Sequence, residues 1–209
     1  MSTMSPRAEQ NELGATIREI AGALRRLDPG PLAELRRMEP NRVEALAPYF
    51  WRLASRHGLR PHDRWALIVK MMAILTDKGD PTNRSSPHVT RSKDNGWRGL
   101  GHALCDGGDP AWPGGAAPRP MQPETRFARL VAAKGKVRDE LLLRAVRALA
   151  TKKPPSVGVD CVGIALLVLR PGDTEATRRL AEDYYDRLDR EEDKNAKHTD
   201  DTAAAGDDE

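Results

Sequence analysis

The chain has 209 residues, 31% of them charged and 4% aromatic, with a formal net charge of +3. That length is enough for one ordinary domain without staples. Only Cys105 and Cys161 are present, far apart and without a Cys-x-x-Cys pattern, which argues against a zinc site or a disulfide framework. No apolar run approaches the ~20 residues of a bilayer span, and residues 1–10 lack the apolar stretch of a signal peptide, so a cytoplasmic protein with no membrane contact is expected.

The predicted elements are nearly all helical. Leu13, Ile17, Ile20, Leu24 and Leu27 line one face of a first helix, which ends at Asp28-Pro29-Gly30. Pro31 starts a short helix through Met38. Pro48 and Pro61 sit where a first turn tolerates proline and predict helices over 48–57 and 61–78, stopped by Gly58 and Gly79. The second of these carries Trp65, Ile68, Val69, Met72 and Leu75 on one face and Leu67, Met71 and Ile74 on others, so it is expected at the centre. Residues 79–96 place Arg84, Arg91 and Lys93 among prolines without an apolar period, which reads as an exposed basic loop.

A short helix over 97–104 precedes residues 106–123, where four glycines and five prolines predict a second long loop. Two amphipathic helices follow: 122–133, with Phe127, Leu130 and Val131 inward, and 136–152, with Val137, Leu141, Ala145 and Leu149 inward. Asp160 is a candidate N-cap for 161–169, a run with almost no polar face. A buried strand competes there, because Val159, Val162, Ile164 and Val168 are β-branched. Thr174 is the candidate cap of a last helix with Leu180, Ala181, Tyr184 and Leu188 inward.

Residues 191–209 hold eight acidic residues against Lys194 and Lys197, a net of −6, which leaves +9 on residues 1–190. The acidic tail has no large apolar residue and is expected to be disordered. The reading is therefore an all-α fold: a helical bundle of about eight helices in two packed halves, about 8–80 and 95–190. It forms a single domain over 1–190, with long Gly/Pro-rich and basic loops.

Material for catalysis is poor. There is no phosphate-binding loop, dinucleotide fingerprint or nucleophile elbow, and His57 and His62 span a helix break instead of forming a metal-binding pair. His102 and Cys105 stand at helical spacing, for which a packed thiol is the favoured reading. A non-enzyme with no cofactor and no metal is expected. The basic residues are the better lead: Arg25/Arg26, Arg36/Arg37, Arg52/Arg56, Arg126/Arg129 and Arg144/Arg147 recur at helical spacing. Each pair alone is ordinarily a solvated face. Together with the +9 body they make a polyanion groove equally credible, since neutralising phosphates releases counterions. Trp51, Trp65, Phe50, Phe127 and Tyr184 fall in helical runs and are assigned to the core, so backbone neutralisation is favoured over base stacking.

Several blocks in fixed order carry a resemblance. They are GPLAELRRMEP, APYFWRLA, WALIVKMMAIL, GLGHAL, ETRFARLVAA, ELLLRAVRALA, VDCVGIALLVL and RRLAEDYYDRL, spread over most of residues 20–190. In these the chain resembles the CasB family, the small subunit of the type I-E CRISPR surveillance complex, Cascade. It departs at the long 106–123 loop and the 191–209 tail, at His102, where many members carry Arg, and at Cys161, where the family often has Trp.

The resemblance implies an all-helical, non-catalytic subunit acting in antiviral defence. Two copies would line the inner face of the complex against its backbone and large subunits. There they would stabilise the R-loop of crRNA and target DNA and hold the displaced, single-stranded non-target DNA. Carried over by position, the expected nucleic-acid-binding residues are Arg36, Arg37, Arg52, Arg126 and Arg129, then Arg144 and Arg147, with Lys134, Arg91, Lys93 and Arg98 as further members. The competing expectation is a helical adaptor whose basic faces dock proteins.

Overall fold

The computed structural model describes residues 6–42, 45–90, 99–109, 112, 119–154 and 157–204, with side chains described only between residues 8 and 190. Among the described residues there are nine helices: α1 (Pro6–Arg25), α2 (Pro29–Arg37), α3 (Pro48–His57), α4 (His62–Leu75), α5 (Leu100–Asp106), α6 (Glu124–Ala132), α7 (Gly135–Lys152), α8 (Cys161–Leu169) and α9 (Thr174–Ala204). The only extended pairing among them is an isolated parallel bridge between His88 and Val159. Among the described residues no helix is long and apolar enough to cross a membrane.

Local signals account for most boundaries. Pro48 opens α3 without losing a needed hydrogen bond, and Gly58 ends it with φ 61°, a left-handed conformation that costs glycine little. The ambiguous 161–169 segment is helix: the Asp160 carboxylate accepts from the Val162 amide at 3.0 Å, a cap worth about 1 kcal/mol. Val159, just outside, takes the single β-bridge. At α9 the cap is Asp173 instead of Thr174, its Oδ1 accepting from the amides of Glu175 (2.9 Å) and Ala176 (3.1 Å). This helix continues to Ala204, into the tail expected to be disordered. Glu, Lys and Ala favour helix, and a docked helix is extended without a new nucleation cost.

α4 is the hub. It packs against α1, α2, α3, α7 and α8, joining the elements of both expected halves, and from Trp65 to Leu75 all but Ile74 are buried. α7 lies parallel to it. Arg64 pairs with Asp139 near the two N-termini, and Lys153 Nζ meets Asp77 Oδ1 at 2.8 Å beyond the two C-termini. α5 rests on the backbone of α9. A Cβ at Gly101 would stand 2.3 Å from Leu180 O and 2.6 Å from Asp183 Cβ, so only glycine permits this approach. Phe127 of α6 stacks on Tyr184 of α9 with centroids 3.8 Å apart, and Tyr184 Oη donates to Gln122 O at 2.6 Å.

Three expectations are corrected. Arg84 is not on an exposed loop but is 5% exposed, because its guanidinium is drawn in to main-chain carbonyls. On α7 the inward stripe is Arg138, Leu142, Ala145, Val146 and Leu149, and Val137 is 61% exposed. Here too an inward arginine rotates the face away from the apolar spacing. Trp51, assigned to the core, keeps 36% of its surface exposed.

Candidate nucleic-acid interface

The cations of this chain divide into two populations. One faces inward and closes helix C-termini, where the last carbonyls lack intrahelical donors and the helix dipole is negative. Arg36 on α2 donates from Nε to Ala73 O (2.8 Å) and from Nη2 to Thr76 O (2.7 Å), at the end of α4. Lys70, 6% exposed in the middle of α4, donates to Met38 O at 2.6 Å, the residue that ends α2. Arg84 reaches Leu27 O beyond α1 and Gly79 O beyond α4. Arg64 donates twice to Val168 O near the end of α8, at 3.0 and 2.6 Å. Arg138 donates to Ala133 O (2.6 Å), which ends α6, and to Pro171 O (3.3 Å).

These bonds have electrostatic consequences. Burial holds Lys70 below the usual lysine range, and nearby Arg147 lowers it further. Burial, then Arg84, likewise lowers Arg36. Burial also raises the Asp139 carboxyl above its usual range, against the pull of Arg64.

The second population faces outward. Arg37, Arg52, Arg126, Arg129, Lys134, Arg144 and Arg147 are all exposed, and none forms an ion pair among the described residues. On α7, Arg144 and Arg147 flank the outward line opposite the Leu142/Leu149 stripe. Arg147 comes close enough to affect Lys70, whose ammonium sits on the carbonyl following Arg37. Arg147 on α7 therefore acts on Lys70 of α4, while Arg144 lies one turn nearer the start of α7 and Arg37 at the end of α2.

Arg126 and Arg129 stand exposed on α6, on either side of buried Phe127 in the sequence, and Lys134 lies in the turn between α6 and α7. Arg52 belongs to α3. Arg91, Lys93 and Arg98 lie outside the described residues. Arg36 differs from its expected companions because two of its nitrogens are committed to carbonyls.

Lys70 escapes a reading by sequence. Its signal is present, as the lone charge in the apolar run from Trp65 to Leu75, but spacing alone assigns it no function. Elsewhere, both cysteines are buried, and burial pushes the Cys161 thiol well above the ordinary range. His102 is 6% exposed and lies 3.8 Å from both Asp183 and Asp186 on α9. No group of three potential metal-ligating side chains forms among the described residues.

The family model for CRISPR-associated protein Cse2 matches residues 31–185, from the start of α2 into α9. Neither a curated protein nor a solved structure matches the chain. The match covers most of the sequence, and the chain belongs to the CasB/Cse2 family, the small subunit of the type I-E CRISPR complex Cascade.

Proposed function

We propose that this Cascade subunit holds single-stranded nucleic acid by its phosphate backbone. It stabilises the crRNA–target R-loop and the displaced non-target strand without catalysing a reaction. The observation that carries this reading is the set of exposed arginines without acidic partners. A guanidinium already neutralised by a carboxylate would gain little from phosphate, but Arg37, Arg52, Arg126, Arg129, Arg144 and Arg147 keep their forks open. Lys134 adds a point charge between α6 and α7. Such contacts are indifferent to sequence, as a subunit serving any guide requires.

Its partners in this reading are the backbone and large subunits of Cascade, a second copy of itself, crRNA and single-stranded target or non-target DNA. Its place is the cytoplasm. Arg91, Lys93 and Arg98 remain candidate contacts by position in the sequence.

The test is charge reversal at Arg126 and Arg129. Cascade carrying R126E/R129E should assemble normally and lose R-loop stability, read as faster release of the displaced strand. A second reading, protein docking by the basic faces, is favoured by one observation: Val137, 61% exposed, lies on the outward side of α7 with Arg144. That reading predicts the opposite pattern, failure to assemble in the reversed variant.

A further inference from the structure

Trp51 and Tyr185, at 36% and 37%, are the exposed large aromatic side chains among the described residues, and Trp51 is the one on a helix face without acids. Phe50, Phe127 and Tyr184 are fully buried and Trp65 is 6% exposed, yet Trp51 keeps 36% of its surface exposed. Its ring is nevertheless held in place. Phe50 stands 5.6 Å away at 65°, and His62, at the first position of α4, stands 5.0 Å away at 77°. Both are edge contacts, so no ring stacks on the indole among the described residues, in contrast to the Phe127–Tyr184 pair stacked at 3.8 Å.

The surroundings are cationic. Helical geometry places Trp51, Arg52, Ser55 and Arg56 on the arc of α3 opposite buried Phe50 and Leu53, and all four are exposed. Arg60, also exposed, lies two residues before His62. None of these three arginines has an ion pair among the described residues. Of the nearby acids, Glu19 is exposed and engaged with His57 Nδ1 at 3.0 Å, and Asp63 stands exposed at the start of α4. A fixed, half-exposed indole beside open guanidinium groups matches a nucleobase flanked by phosphates, since every base offers a π-face and every linkage an anion.

We propose that Trp51 is a base-stacking platform for single-stranded DNA, with Arg52 and Arg56 taking the phosphates on either side of the stacked nucleotide. The proposal rests on the strand-holding reading above and adds to it a contact with bases, for which backbone neutralisation has no place. An acidic protein segment is the competing occupant of the same face.

The experiment measures binding of the full chain to a dT oligonucleotide and to an abasic strand of equal length. It compares the native protein with W51A and W51F, each checked by thermal melting. W51A should weaken dT binding roughly 5- to 150-fold, the range of one base–aromatic stack. It should leave the abasic strand and the salt slope unchanged, and W51F should recover part of the affinity. Equal weakening on both strands, or no change on dT, overturns the platform while strand binding itself stands. Unchanged dT binding with loss of W51A from assembled Cascade also overturns it, in favour of a protein contact. Failure of the native chain to bind either strand removes the strand-holding reading and the platform with it.

Discussion

Arg36 and Arg37 are adjacent in the sequence and opposite in the fold. Arg36 turns inward and closes the end of α4 through two carbonyls, and Arg37 faces outward without an acidic partner. The same division runs through the molecule. Around α4, the cations Arg36, Lys70, Arg84, Arg64 and Arg138 supply the donors that the ends of α1, α2, α4, α6 and α8 lack. On the outward faces of α3, α6 and α7, arginines of the same chemistry make no such bond. Net charge therefore overstates the surface available to a polyanion: part of the +9 on residues 1–190 serves the fold. The difference is one of substitutability. An inward cation is fixed by carbonyls that are left unpaired without it, and an outward one matters only when an anion arrives.

The strongest way to break this division is at Arg84. Arg84→Met should cost about 3 kcal/mol, because two carbonyls in the interior lose charge-assisted donors, and the urea midpoint should fall accordingly. An unchanged midpoint would place Arg84 with the outward group. A smaller effect sharpens the contrast within one dipeptide. Arg36→Lys, which cannot reproduce the forked contact, should lower stability by about 1–2 kcal/mol, and Arg37→Lys should change it by less than ~0.5 kcal/mol. Thermal unfolding of the two variants side by side decides the matter.

The smallest effect concerns pH. His88 is buried, its Nδ1 accepts from the Cys161 amide at 3.2 Å, and burial holds its pKa below 6.5. The Asp160 charge opposes this shift, and Arg18 adds to it. A lowered histidine pKa means that the unfolded chain takes up the proton first. The stabilising contribution is thus present above 6.5 and lost as pH falls through the lower folded value. His88→Asn, which keeps an acceptor and does not titrate, should flatten stability across that window; an unchanged pH profile would remove His88 as its source.

Helix placement is highly legible in the sequence, and the side on which each cation lies is not. The Pro48 start, the Gly58 stop and the Asp160 cap are local signals, and α3 begins and ends, and α8 begins, where those signals mark. Arg138 and Lys70 show why the rest is hidden. Each occupies an inward position on its helix and donates to a carbonyl remote in sequence, Pro171 O after the end of α8 for one and Met38 O after the end of α2 for the other. Apolar spacing carries no record of such a partner, so it places Val137 inward where the fold has Arg138. Trp51 is misplaced because an aromatic residue inside a helical run is ordinarily core, whereas it lies on the arc of α3 away from buried Leu53, with Phe50 and His62 covering only part of its ring.

The central claim is that outward arginines meet phosphate and inward ones do not, and salt dependence tests it most directly. The log–log slope of dT binding against salt should be measured for the native chain, for a variant with Arg37, Arg52, Arg126, Arg129, Arg144 and Arg147 changed to Gln, and for Arg36→Gln. The account predicts that the slope of the first variant falls by about 0.7 for each phosphate it no longer neutralises, with its melting temperature preserved, and that Arg36→Gln lowers the melting temperature and keeps the native slope. A native slope in the six-residue variant, or a reduced slope in Arg36→Gln, would contradict it.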